Sequence, residues 1–578
     1  MATPPTTPPA VGAGLTARRR TIALWVVLLA FFMDLLDTTI VNVAIPSIQA
    51  NLGASYSSIQ WIVAGYALTF ALFLITGGRL GDIFGYRRLF LIGTIGFIVA
   101  SALSGLATST AMLIGARLLQ GFFAAMMVPQ ILSTIQVMYT TSEERQGVSA
   151  FYGALAGVAT VGGPILGALL ITGNAFGFGW RTIFLVNVPV GIAAVILAAL
   201  YLPAAKSPHP LRLDLVGVAL VVLAMLLLMY PLIEGRELDW PVWAFASMAI
   251  SLVVFVLFAV SQIWKEKRGG SPLVVPHLFR QRSFVAGIVL SGSFYAIVVA
   301  FFLILTLFLQ VGLGYSVLEA GLTGIPFSIG VSVAAGMSGP VLVPRFGRNI
   351  ISAGPVAMVA GFACFIWTIG HFGGEVTPFE LIPALVISGV GMGFVVASVY
   401  PFILAEVPLK DAGSASGVIN AVGQIGGAVG IAAIGVIFFG LIGSQADISA
   451  ASVSDRLTTD LSAAGVPGFV APSVLSSFAT CFHDRANAKD FSVLPPSCQQ
   501  GVAAQQALAQ SQPALAEAIG EATARAGRAA NQRNFTTAME RTLAWEIAAL
   551  VVIFFISFFL PPRPRPQADL AAAGVAAA

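Results

Sequence analysis

FFMDLLDTTIVNVAIP, Phe31–Pro46, is the stretch on which the reading of this chain turns. It lies in an apolar run that begins near Thr21 and is long enough to span a bilayer. Yet it holds two carboxylates, Asp34 and Asp37, and an amide, Asn42. An acid at the centre of a membrane costs at least about 2.5 kcal/mol, so it faces a partner or a water-filled cavity. The i, i+3 spacing puts both acids on one face of a helix. Two readings of Asp37 are open at this point. One is a structural hydrogen bond near a helix end. The other is a protonatable site in a transport cavity, coupled to the acid beside it.

Composition sets the context. Of 578 residues, 57% are hydrophobic and only 9% charged, against about 25% charged in an ordinary soluble domain. The 60 glycines suit closely packed membrane helices. The chain reads as a polytopic membrane protein. Its net charge of +4 calls for no nucleic-acid partner, because the basic residues gather in short loops beside the apolar runs. The basic start resembles a signal peptide. The run that follows is too long for one and no small-residue cleavage site ends it, so a retained first helix is expected. Cys364 lies in an apolar run, whereas Cys481 and Cys498 share a polar segment in which they could pair. The four histidines are scattered and metal-site spacing is missing, which argues against a metalloenzyme. No P-loop pattern occurs, which argues against direct ATP drive.

Fourteen apolar runs are countable, near 22–45, 57–78, 89–107, 111–138, 147–172, 182–202, 213–233, 241–263, 283–311, 318–343, 350–370, 378–405, 412–442 and 542–560. An even count puts both termini on one side. Arg18, Arg19, Arg20, Arg79, Arg87, Arg88, Arg145, Lys265, Lys267, Arg268, Arg345, Arg348 and Lys410 are among the many cations on that side. The short loops opposite hold only Arg181 and Arg236. That asymmetry makes the terminal side cytoplasmic. GGRLGDIFGYRR, Gly77–Arg88, and SGPVLVPRFGRN, Ser338–Asn349, occupy the same loop of two six-helix sets. Aligned without gaps they share Gly77 with Gly339, Leu80 with Leu342 and Phe84-Gly85 with Phe346-Gly347. A parallel repeat of two bundles with a site between them is a transporter architecture. The expected organisation is a cytoplasmic tail at 1–21, a first six-helix bundle at 22–203, two inserted helices and a linker at 204–282, and a second bundle at 283–560. That second bundle contains a long extracytoplasmic loop at 443–541, and a cytoplasmic tail follows at 561–578.

Four segments then carry a resemblance to the major facilitator superfamily, in its fourteen-helix drug:proton antiporter branch. LDTTIVNVAIP, Leu36–Pro46, resembles the branch's helix 1 signature, whose acid is implicated in proton coupling; that position is Asp37 here. Gly77–Arg88 resembles the superfamily's loop 2–3 motif. Gly77, Gly78 and Gly81 allow close helix approach, and Gly85 belongs to the same gate candidate. Asp82 can cap the next helix or pair with Arg79, Arg87 or Arg88, giving a cytoplasmic gate with two states. RLLQG, Arg117–Gly121, resembles the helix 4 motif to which proton transfer is assigned. An arginine stays charged, so Arg117 would tune a nearby acid, Asp37 or Asp34, without carrying the proton. GVATVGGPILG, Gly157–Gly167, resembles the antiporter motif through Gly157, Gly162, Gly163, Pro164 and Gly167, although Ala168 stands where a second glycine is usual. WRTIFLVNVPVG, Trp180–Gly191, also resembles the family and implies nothing further about mechanism.

The second half reads as poor in deep charge, with Glu319, Glu380 and Glu406 near helix ends. Asn42, Gln120, Phe294, Tyr295, Tyr400, Asn420 and Gln424 are candidates to line a substrate cavity. The resemblance thus implies an all-α membrane protein of the major facilitator fold, with two six-helix bundles plus two inserted helices. Its function would be proton-coupled export of amphipathic small molecules from the cytoplasmic membrane. Partners would be the substrate, protons and lipid, with no nucleotide, nucleic acid or cofactor beyond the proton gradient, and a monomeric chain is expected. Two alternatives stand beside it: a proton-coupled importer of a nutrient, and a non-transporting receptor or scaffold acting through 443–541.

Overall fold

The computed structural model describes residues 16–139, 162–174, 177–207, 212–235, 238–407, 412–488 and 494–563, with isolated positions at 148, 155 and 159. Among the described residues the chain is helical. Its first half comprises α1 Ala17–Leu52, α2 Tyr56–Phe84, α3 Tyr86–Gly105, α4 Thr110–Met138, α5 Gly162–Gly173 and α6 Gly179–Tyr201. Then come α7 Leu215–Glu234 and α8 Val242–Lys267. The second half opens with α9 Arg282–Gly312, α10 Val317–Met337, α11 Asn349–Phe372, α12 Ile382–Ile403 and α13 Ala412–Ser444. Short helices α14 Ala446–Ala451, α15 Ser454–Ala463, α16 Ala471–Asn487 and α17 Pro496–Ser511 lead to α18, Pro513–Ser557. Twelve of the described helices are long and apolar enough to cross a membrane.

Local chemistry sets the helix ends. Ser55 and Ser109 accept from the backbone N–H of Ser58 and Met112, capping α2 and α4. Ser316 and Glu319 form a capping box at the start of α10. Glu380 accepts from the Thr377 N–H at 2.6 Å, and Glu406 accepts from the Ser283 hydroxyl at 2.7 Å. The three acids expected at helix ends are thus engaged in local bonds there. Gly85 breaks α2 from α3 with φ +98°, and Gly347 makes the matching break before α11 with φ +59°. Those values favour glycine because a side chain is strained there.

The two halves repeat in three dimensions. α2 packs on α4, α3 on α4 and on α6, and α1 on α6. In the second half α10 packs on α12, α11 on α12 and on the end of α18, and α9 on α18. The Tyr86 N–H donates to the Ala205 carbonyl at 2.9 Å, and the Arg348 N–H donates to the Pro562 carbonyl at 3.0 Å. The weak letter match between the two loops therefore coincides with the same join in each half. The halves meet along α2 and α13. α7 touches both of these helices and pairs with α8. α8 turns Phe245, Leu252, Val256 and Val260 outward, as a lipid-facing helix does.

Two features differ from the sequence expectation. No break separates the outer loop from the last apolar run at 541, because α18 continues unbroken from Pro513 to Ser557. With the first turns of α18 the segment before it forms a helical cap, in whose core Val453, Leu457 and Leu461 pack with Ile519, Ala522 and Ala526. Cys481 and Cys498 form a disulfide that ties α16 to α17.

Candidate functional site

Asp37 lies in α1 and is fully buried. One carboxylate oxygen pairs with the Arg117 guanidinium of α4. The other accepts from Gln120 Nε2 at 2.8 Å and from Asn187 Nδ2, on α6, at 3.2 Å. Arg117 also donates to Gln120 Oε1 at 2.8 Å and to the Ile62 carbonyl of α2 at 3.1 Å. Asn187 donates to Ser101 of α3 at 3.1 Å. Four helices thus contribute side chains to one buried network, and α2 adds a carbonyl. A lone charge at this depth is costly, whereas a paired and hydrogen-bonded one is tolerated. The spacing in α4 follows from helix geometry, since residues three apart share a face. That is why Arg117 and Gln120 reach the same carboxylate.

Asp34, one turn nearer the basic N-terminal end, is also buried. It accepts from the Tyr66 hydroxyl of α2. The Tyr66 ring lies under the Arg117 guanidinium, 4.4 Å from its centroid. Through this ring the two acids share one cation without sharing a hydrogen bond. Of the two acids expected to meet Arg117, Asp37 pairs with it and Asp34 does not.

The helix 5 glycines press α5 onto α1 beside this network. A Cβ on Gly163 would fall 1.9 Å from Thr39 Oγ1, and one on Gly167 would fall 2.7 Å from Ile40 Cγ1. Gly162 has room, with Leu36 at 3.8 Å. The Pro164 carbonyl lies 3.0 Å from where a Cβ on Gly321 of α10 would sit, a contact between the halves. Gly157 lies outside the described residues.

The loop 2–3 cluster differs from the expected gate. Arg79 is buried and donates to the carbonyls of Arg212, Ser271, Pro272 and Leu273. It joins the first bundle to the segments that flank α7 and α8, not to the second bundle. Asp82 accepts from the Tyr86 hydroxyl at 3.0 Å instead of pairing with an arginine. Arg87 donates to the Ala199 carbonyl, and Arg88 is exposed. Gly77 and Gly81 sit against α4, where added Cβ atoms would fall 2.0 Å from the Ala125 carbonyl oxygen and 1.9 Å from Gln130 Oε1. Gly78 has space. Next to Arg79, Asp214 caps α7 and takes Lys265, Gln262 and the Gly217 and Leu273 N–H groups. Burial alone would raise its pKa, but these four donors outweigh burial and hold it below the usual carboxylate range.

Two cavity candidates are corrected. Gln120 belongs to the Asp37 network, and Phe294 is 1% exposed within the apolar core. Tyr400 donates to Asn420 at 2.9 Å, and Tyr295 packs on Gly423 in the same region. Asn42 and Gln424 are half-buried. A separate cavity of about 1370 Å³ lies under the cap. Its walls include Pro46 and Asn51 of α1, Phe439 of α13, Phe482 and Arg485 of α16 and Asn531 of α18. Sequence reasoning missed Asn187, although its motif had been singled out. It also missed Glu546 of α18, which is 2% exposed. The second half thus holds one deeply buried acid, where the sequence reads as poor in deep charge.

A helical, multi-pass membrane protein built from two repeated halves, with a buried ion pair in the first, has the architecture of a transporter. The sequence profile of the Major Facilitator Superfamily matches residues 27–431, and the chain belongs to that family. It is 42% identical to a protein of Streptomyces coelicolor named a probable actinorhodin transporter, over 95% of this chain and 93% of the relative. It is 32% identical to the tetracenomycin C resistance and export protein of Streptomyces glaucescens, over 72% and 77%. It is 30% identical to the multidrug efflux pump LfrA of Mycolicibacterium smegmatis, over 83% and 93%. Among solved structures, its fold resembles a bacterial homologue of the human lysosomal transporter Spinster. There the TM-score is 0.58 at 16% identity, over 96% of this chain and all of the other.

Proposed function

We propose that the chain is a proton-coupled exporter of amphipathic small molecules, antibiotics or self-made metabolites, working by alternating access. The export and resistance roles for which its relatives are named support the substrate class. The observation that carries the coupling is the buried network around Asp37. Protonating Asp37 would discharge one partner of a buried ion pair and leave Arg117 to Gln120 and the Ile62 carbonyl. The energy of the first bundle would then depend on the proton. Substrate and proton would favour opposite arrangements of the halves.

In this reading fourteen helices cross the membrane. α5 and the last part of α18 complete the six-helix sets, and both termini are cytoplasmic. Asp34 and Tyr66 would tune Asp37, while Tyr295, Tyr400 and Asn420 would line the substrate path. The cap and its vestibule would then lie outside the cell. The test is pH-gradient-dependent efflux of a panel of antibiotics from cells expressing the chain. Accumulation should fall for at least one compound and recover when a protonophore collapses the gradient. Efflux that persists without the gradient would refute proton drive, and uptake in right-side-out vesicles would favour the importer.

A further inference from the structure

Glu546 is the most deeply buried acid of the second half among the described residues. Its residue is 2% exposed, and neither carboxyl oxygen has a hydrogen-bond partner among the described residues. The three spans packed on α18 are α9, α11 and α13. They carry no Asp, Glu, Lys or Arg between Ser283 and Gly312, Asn349 and Phe372, or Ala412 and Ser444. Their titratable groups are Tyr295 on α9 and Cys364 and His371 on α11. On α18 itself the nearest are Glu540 and Arg541, toward the cap. Unlike Asp37, this carboxyl has no cation beside it.

Its place in the fold is defined by two contacts between α11 and α18. Ser352 meets Ser557 at 2.7 Å, and a Cβ on Gly370 would lie 3.1 Å from Glu540 Oε1. The helices run antiparallel, so Glu546 is level with Ala363 and Cys364. Ala363 stands as far after Gly347 as Ser101 stands after Gly85. Ser101 is the residue that Asn187 joins to the Asp37 network. Glu546 therefore occupies, in the second half, the level of the ion-pair network in the first.

A stripe along α18 connects this level with the vestibule. Asn534, Ala538, Thr542 and Glu546 follow at i+4 intervals on one helix face, and all four are buried. Asn534 lines the cavity under the cap. It lies about 18 Å of helix from Glu546.

We propose that Glu546 is a second proton-carrying site, the counterpart in the second half of Asp37 in the first. The proposal rests on the proton-driven reading above. An isolated ionised carboxylate is not sustained in such surroundings, so Glu546 holds its proton in this arrangement. It gives the proton up when movement of α18 against α9 and α11 admits water. The proton comes from the vestibule side through the water that this movement admits and leaves on the opposite side, and no other bond changes.

The test is pH-difference infrared spectroscopy on the purified full-length protein in lipid, which requires no substrate. Wild type should show a protonated-carboxyl band that disappears in Glu546→Gln and in Glu546→Leu, and shifts in Glu546→Asp. Asp37→Asn should remove a different band. A static acid gives no difference band, so a wild-type difference spectrum unchanged in both Glu546→Gln and Glu546→Leu would overturn the proposal. Loss of the Glu546 band together with an unchanged Asp37→Asn spectrum would instead count against Asp37 alone.

Discussion

At the scale of single residues, the structure turns a pair of awkward acids into two distinct roles. Asp37 is held by a cation and two amides, and Asp34 by a tyrosine hydroxyl. Removing only one member of a buried ion pair leaves an uncompensated charge, which costs about 3–5 kcal/mol. Arg117→Ala should therefore lower the unfolding temperature in detergent more than Asn187→Ala does. The amide removes one acceptor contact at Asp37 and one at Ser101, worth about 1–3 kcal/mol. Equal shifts for the two variants would mean that Arg117 does not bear on Asp37 as described. The acids and Arg117 were legible because each is a charged residue in an apolar run, whereas Gln120 reads from sequence as a cavity residue. Asn187 is also a polar residue in such a run, but sequence does not say which helix faces which across 150 positions. Glu546 was overlooked because one acid hardly changes the hydropathy of its run.

At the scale of elements, close packing of α5 on α1 separates neighbouring glycines. Gly163→Ala should destabilise by about 1–3 kcal/mol, because its new methyl meets Thr39. Gly162→Ala should be nearly neutral, and thermal denaturation of the two variants checks the contrast. Asp214 gives a pH-dependent prediction. Its folded-state pKa is depressed by Lys265, Gln262 and two backbone N–H groups against the effect of burial. Its contribution is therefore present above the ordinary carboxyl value, about 3.9, and is lost as pH falls through its folded value. Asp214→Asn should be less stable than wild type at neutral pH, and the gap should close on acidification below that value. The repeat at Gly85 and Gly347 was readable because a positive φ restricts the residue type. The partners of Arg79 were not readable, because backbone carbonyls leave no mark in a sequence.

At the scale of the whole molecule, two repeated halves, a pair of inserted helices and a cap surround the site. Hydropathy located twelve of the runs as long apolar helices, because crossing a bilayer demands length. Alanine and glutamine in Gln499–Gly527 predict polar helices, but such helices carry no strong periodic signal of how they pack into a cap. Its fusion to α18 through an unbroken helix follows from a segment without an interior proline between Pro513 and Ser557. The disulfide closes a short loop of separation 17, and the chain-entropy account gives such a link about 3 kcal/mol. Cys481→Ser with Cys498→Ser should lower the cap's melting transition while leaving that of the helical bundles in place.

The central claim is that Asp37 couples the proton to transport. The direct measurement compares wild type with Asp37→Asn in proteoliposomes, using a compound that wild type exports. Substrate accumulation driven by an imposed pH gradient is followed alongside substrate–substrate exchange without a gradient. The account predicts that Asp37→Asn loses gradient-driven accumulation and keeps exchange. Accumulation at the wild-type rate in Asp37→Asn would contradict it.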